Sequence, residues 1–174
     1  IVAWKIKLVP VPSTVTVFTV NKNLEQNATK ILHRLQHVAD KFDKDLYIRV
    51  ILTGANSSQE GKKTVQAAFN SLYLGGKDKL LPLMQESFPE LGLVSEDCKE
   101  MSWIQSILYF AGFPSGQSLD VLLNRTLTVI SYKAKSDYVK NPIPEVGSEG
   151  IWQRFYEKEA ESAVLILTPY GGKM

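Results

Sequence analysis

The sequence holds two histidines, one cysteine and several clustered carboxylates, the groups from which a metal, thiol or acid–base site would be built. His33 and His37 stand four residues apart, a spacing that puts two imidazoles on one helical face and could offer two ligands to a transition metal. Their segment carries apolar residues at Leu24, Ala28, Ile31, Leu32, Leu35, Val38, Ala39 and Phe42. The histidines fall away from that stripe, where a solvated pair is the ordinary outcome, and nothing nearby supplies a third ligand. Cys98 lies in Ser95-Glu96-Asp97-Cys98-Lys99-Glu100, where three acids against one lysine raise a thiol pKa and leave it a poor nucleophile. Asp40, Asp43 and Asp45 interleave with Lys41 and Lys44, and Glu157, Glu159 and Glu161 with Lys158, as at solvated helix ends. Gly75-Gly76 and Gly171-Gly172 lack the spaced glycines and following helix of a phosphate loop. These residues alone predict no catalytic group and no metal site.

Three unblocked Asn-x-Ser/Thr triplets, at Asn27, Asn56 and Asn124, exceed the one or so that chance supplies to a chain of this length. They favour a secreted, extracellular or vacuolar glycoprotein, with Asn56, in a polar loop, the most accessible acceptor.

The elements that would position any site follow from composition and periodicity. The 174 residues are 44% apolar and 22% charged, which fits one globular domain spanning 1–174 and excludes a disordered chain. The net charge is +2 and the densest basic cluster is Lys62-Lys63, so nucleic acid is not an expected partner. No apolar run approaches the roughly 18–20 residues of a membrane span. Strands are predicted at 14–20, 46–53, 64–74 and 163–167, and at 1–9, where the chain opens directly on an alternating pattern. Helices are predicted from an Asn23 N-cap through Phe42, over 79–88 with Pro82 in the first turn, over 101–109, and over 148–159 with Trp152, Phe155 and Tyr156 facing a core. A strand at one end and turn residues Thr168-Pro169-Tyr170-Gly171-Gly172 at the other lead us to expect a segment of a larger protein. A processed domain with frayed ends is the alternative.

The polar joint between the second and third strands is short, which favours an antiparallel hairpin. The resulting class is α+β, a mainly antiparallel sheet with helices on one face. Leu46, Ile48 and Val50 would bury against the helix of Leu35 and Val38. The opposite face would present Tyr47, Arg49, Thr53, Gln66 and Asn70, to water or to a ligand or neighbouring domain, and parity alone leaves both open.

Read as words, Ala3-Trp4-Lys5-Ile6-Lys7-Leu8-Val9-Pro10-Val11-Pro12, Asp43-Lys44-Asp45-Leu46, Ser87-Phe88-Pro89-Glu90-Leu91-Gly92-Leu93, Asp97-Cys98-Lys99-Glu100-Met101-Ser102-Trp103-Ile104, Asp137-Tyr138-Val139-Lys140, Pro142-Ile143-Pro144-Glu145 and Pro169-Tyr170-Gly171-Gly172 occur in a fixed order. In that order the chain resembles the middle of the plant berberine bridge enzyme-like flavoproteins, which include reticuline oxidase-like proteins, monolignol and carbohydrate oxidases and cannabinoid acid synthases.

The resemblance implies a substrate-binding domain whose open sheet face is turned towards the flavin domain of the parent, with residues 1–9 as a strand joining the two. It implies FAD held by the flanking domain, through residues outside this chain, and a partner list of a small-molecule substrate, that flavin domain and O2. The segment alone would then be inactive. Gln66 is the residue singled out for substrate contact, since its amide could bond a hydroxyl or carbonyl but cannot titrate. Ala68, Asn70, Arg49, Tyr47 and Thr168 join it by strand parity. The implied reaction takes hydride from an alcohol or activated C–H of a plant metabolite or sugar. The competing classes are a secreted, allergen-like binding domain without chemistry and a free-standing ligand-binding module.

Overall fold

β-Branched and aromatic residues crowd the segment after Thr14, and they build strand β1 (Val15–Asn23). In the computed structural model, which describes residues 3–124 and 131–170, it is joined by β2 (Leu46–Asn56), β3 (Lys63–Tyr73), β4 (Lys99–Met101) and β5 (Val164–Leu167). The strands lie in the order β4-β1-β3-β2-β5 and every neighbouring pair is antiparallel. β2 and β3 form the expected hairpin, in register from Leu46 opposite Tyr73 to Asn56 opposite Lys63. Its six-residue connection turns at Gly61, whose φ of 73° favours glycine. The class is α+β, as the sequence predicts.

Four helices, α1 (Ala28–Val38), α2 (Lys77–Ser87), α3 (Trp103–Phe110) and α4 (Glu145–Arg154), complete the fold. Asn23 is an N-cap, but of a 3-10 turn (Leu24–Gln26) rather than of α1: its Oδ1 accepts from the Gln26 N–H while Gln26 Oε1 accepts from its own. Asn27, at φ 63°, breaks that turn and α1 starts afresh. α2 begins two residues before the expected Lys79, so Pro82 lies beyond the first turn and removes the N–H that would reach the Asp78 carbonyl. Met101 belongs to the short edge strand β4, and α3 starts after it, capped by Ser102. α4 starts at Glu145 rather than Ser148; Trp152 and Phe155 are buried, whereas Tyr156 points outward.

The strand expected at 1–9 does not form within the described part of the chain. Residues 3–12 form no strand among the described residues, and Trp4 and Leu8 stay 78% and 86% exposed. Alternation specifies a side-chain pattern, but a strand also needs a partner to satisfy its backbone, and residues 3–12 pair with none of the described strands.

The main core lies between one sheet face and α1, α2 and α4. Phe18, Val50, Leu52 and Phe69 from the sheet meet Leu32, Leu35, Leu80, Met84, Phe88 and Trp152. α4 is fastened to α1 by the Gln36 amide, which donates to the Ile143 carbonyl at 3.1 Å and accepts from its N–H at 2.7 Å, and by the Trp152 indole donating to Thr29 Oγ1 at 2.9 Å.

The hairpin end is tied down by Glu25, which accepts from Ser57 Oγ at 2.7 Å and Thr64 Oγ1 at 3.0 Å. The Ser57 bond and then the other hydrogen bonds hold its carboxyl below the ordinary 4.5. A lowered carboxyl pKa contributes stability that is present above the unfolded value and lost as pH falls through the folded one. We expect the protection factors of amides in residues 57–62, each taken relative to the intrinsic rate at that pH, to fall once pH drops below 4.5, an acid step absent from Glu25→Gln.

Candidate substrate-binding face

The second sheet face is arranged in rows, because side chains two residues apart share a face and the register aligns them across strands. Val17, Leu72 and Tyr47 form the first row, and Thr19, Asn70 and Arg49 the second. Asn21, Ala68, Ile51 and Ile166 form the third, and Asn23, Gln66, Thr53 and Val164 the fourth. Tyr47, Arg49, Gln66, Ala68 and Asn70 therefore do share one face. Thr168 lies just past Leu167, the last paired residue of β5, and is half-buried outside the ladder.

This face is not bare. α3 packs over its β1 end, where Val15, Val17 and Leu108 are buried apart from the main core. Tyr109 bonds Thr19 Oγ1 at 2.7 Å, Asn70 Nδ2 donates to the same Thr19 oxygen at 2.8 Å, and Arg49 Nε donates to Asn70 Oδ1 at 3.1 Å. The Phe110 ring lies 5.8 Å from the Arg49 guanidinium carbon. The sequence-based picture of helices on one face thus needs α3 added to the other.

The consequence for the site residues is a division of labour. Asn70, only 9% exposed, has both ends of its amide committed, so it holds α3 rather than facing a ligand. The third and fourth rows are uncovered: Gln66, Ala68, Ile51 and Thr53 are half-exposed, and Val164 and Ile166 more so. What remains is a shallow apolar floor of Ala68, Ile51 and Ile166, bounded by α3 with Arg49 at one end and by Gln66 and Thr53 at the other.

Ile51, Ile166, Tyr109 and Phe110 are the residues that sequence reasoning did not select. Ile51 was legible by parity; the other three depend on β5 pairing and on where α3 lands, neither of which is local.

The remaining chemistry-bearing groups lie elsewhere. His33 and His37 touch edge to face at 4.8 Å, with His33 Nδ1 3.9 Å from Glu145, and no metal-holding cluster occurs among the described residues. The Cys98 thiol is buried and points at the Val94 carbonyl, 3.7 Å away; burial first, then Asp97, pushes its pKa up. Asn27, Asn56 and Asn124 are all exposed.

No protein-family model matches the chain. Individual proteins do. It is 51% identical over 174 residues to berberine bridge enzyme-like 28 of Arabidopsis thaliana, covering 100% of this chain and 32% of that protein. Over its full length the chain is homologous to one segment of the berberine bridge enzyme-like proteins. Tetrahydroberberine oxidase of Argemone mexicana is 47% identical over 175 residues, again with 100% of this chain and 32% of the relative. The solved structure of a berberine bridge enzyme-like protein (number 28) from Arabidopsis thaliana superimposes with a TM-score of 0.88 at 50% identity, covering 98% of this chain and 34% of that one. The chain thus spans about a third of the length of the relatives it matches. Of these relatives, the Argemone mexicana protein is by name an oxidase.

Among the described residues the thiol is buried, the two histidines sit on α1 away from the open face, and the pair Gly75-Gly76, which leads into α2 with Gly76 as its N-cap, lacks the spaced glycines of a phosphate loop.

Proposed function

We propose that the open face is the substrate-binding wall of a FAD-dependent oxidase, with the flavin held by another part of the same protein. The observation that carries this reading is the floor of Ala68, Ile51 and Ile166, left uncovered on a sheet whose opposite face carries the main core. An apolar strip flanked by a few placed polar groups is the composition of a small-molecule site. A bound flavin would supply the two-electron acceptor, with O2 taking the electrons onward as peroxide. This chain's own part is to hold the substrate flat on the floor, with Gln66 and Thr53 meeting its hydroxyl or carbonyl, so that an alcohol or activated C–H faces the cofactor. Tyr47 and Thr168 lie at the margin of that wall.

Passage through the secretory pathway belongs to the same proposal. Thr29, the hydroxyl residue of the Asn27 triplet, already accepts from Trp152, which leaves the exposed Asn56 and Asn124 as the more accessible acceptors.

The test is the visible spectrum of the purified chain before and after acid precipitation. A colourless pellet is expected. A yellow one would place the flavin attachment within these residues and overturn the division of roles.

A further inference from the structure

The second row of the open face contains a charge without a counter-charge. Arg49 is half-buried, yet among the described residues the ion pairs are His33–Glu145, Arg34–Glu90 and Arg154–Glu157, and none involves it. Its Nε is fixed by Asn70 Oδ1 and one face of its guanidinium is covered by Phe110, while no described residue bonds its two Nη nitrogens. A guanidinium held in this way has lost its rotational freedom and part of its hydration before any ligand arrives. It retains the two-pronged edge that matches a planar carboxylate. The restraint is relayed: Asn70 is held by Thr19, and Thr19 by Tyr109 on α3.

The rest of the floor gives the ligand its shape. Beyond Arg49 come the apolar side chains of Ile51, Ala68 and Ile166, and beyond those Gln66 and Thr53. Four residues of strand separate the Arg49 and Thr53 rows, about 13 Å at the usual rise. That span suits an aromatic ring with a polar group at each end.

We propose that Arg49 is the anchor for a carboxylate on the substrate, and that the face takes an aromatic or similarly flat acid with a hydroxyl or carbonyl at its far end. This rests on the substrate-face reading above. The probes are 4-hydroxycinnamate and its neutral amide, which differ only in the group offered to Arg49. Each is titrated calorimetrically into the flavin-containing protein, its Arg49→Gln and Arg49→Lys variants, and Ala68→Phe.

The acid should bind about tenfold tighter than the amide. That preference should vanish in Arg49→Gln and fall in Arg49→Lys, which keeps the charge but loses the fork. Should Arg49→Gln fail to fold, Phe110→Leu, which uncovers the guanidinium, should reduce the preference instead. Equal binding of acid and amide, with both weakened by Ala68→Phe, would overturn the Arg49 assignment and leave the substrate face standing. Binding of neither probe, or binding indifferent to Ala68→Phe, would overturn both.

Discussion

Replacing Phe69 by alanine should lower the unfolding free energy by about 3–5 kcal/mol, enough to leave much of the chain unfolded at moderate urea. Phe69 lies at the centre of β3, the middle strand of the sheet, and is 0% exposed. It packs against Phe88 at a ring-centroid distance of 6.3 Å, and Phe88 in turn against Phe42 at 6.1 Å. Truncation therefore removes the ring that joins the sheet to the residue closing α2, and the surrounding strands, paired on both sides, have little freedom to collapse into the space. Urea unfolding followed by circular dichroism checks this. A loss under 1 kcal/mol would mean that the core relaxes around the site far more than its packing suggests.

The second large effect is local. Asn70→Leu keeps nearly the same shape but removes the acceptor for Arg49 Nε and the donor to Thr19. Leaving a charged donor without its partner in a half-buried place costs about 2–3 kcal/mol. The loss should appear where the network led: amides of α3 should exchange faster while those of β2 and β3 stay protected, because the main core does not pass through Asn70. Uniform acceleration across the sheet would contradict the assignment of Asn70 to holding α3.

The parts of this fold that could be read from sequence are those governed by nearest-neighbour physics. The β-branched run of β1, the alternation of β2 and β3 across a short polar joint, and the apolar stripe of α1 each state their own structure. The same alternation put Tyr47, Arg49, Gln66, Ala68 and Asn70 on one face, correctly. It could not say which of them would be covered. That was decided by α3, whose docking depends on Tyr109 reaching Thr19 across 90 positions of sequence. β4 was missed for a related reason: Lys99, Glu100 and Met101 have no strand propensity of their own and are extended because β1 has an edge to pair. Conversely, residues 3–12 alternate well but pair with none of the described strands. The single helix expected after Asn23 failed on one backbone angle, the left-handed Asn27. Asparagine tolerates that region, but its local sequence does not announce it.

The central claim is that the uncovered floor binds substrate. Ala68→Phe in the flavin-containing protein tests it most directly, because Ala68 is half-exposed at the middle of the floor and holds up neither α3 nor the core. With flavin content and thermal unfolding checked against the parent, kcat/KM for the substrate it oxidises should fall about a hundredfold, as the added ring occupies the space the substrate needs. An unchanged kcat/KM at full flavin content would show that substrate binds elsewhere, and the reading of this face would be wrong.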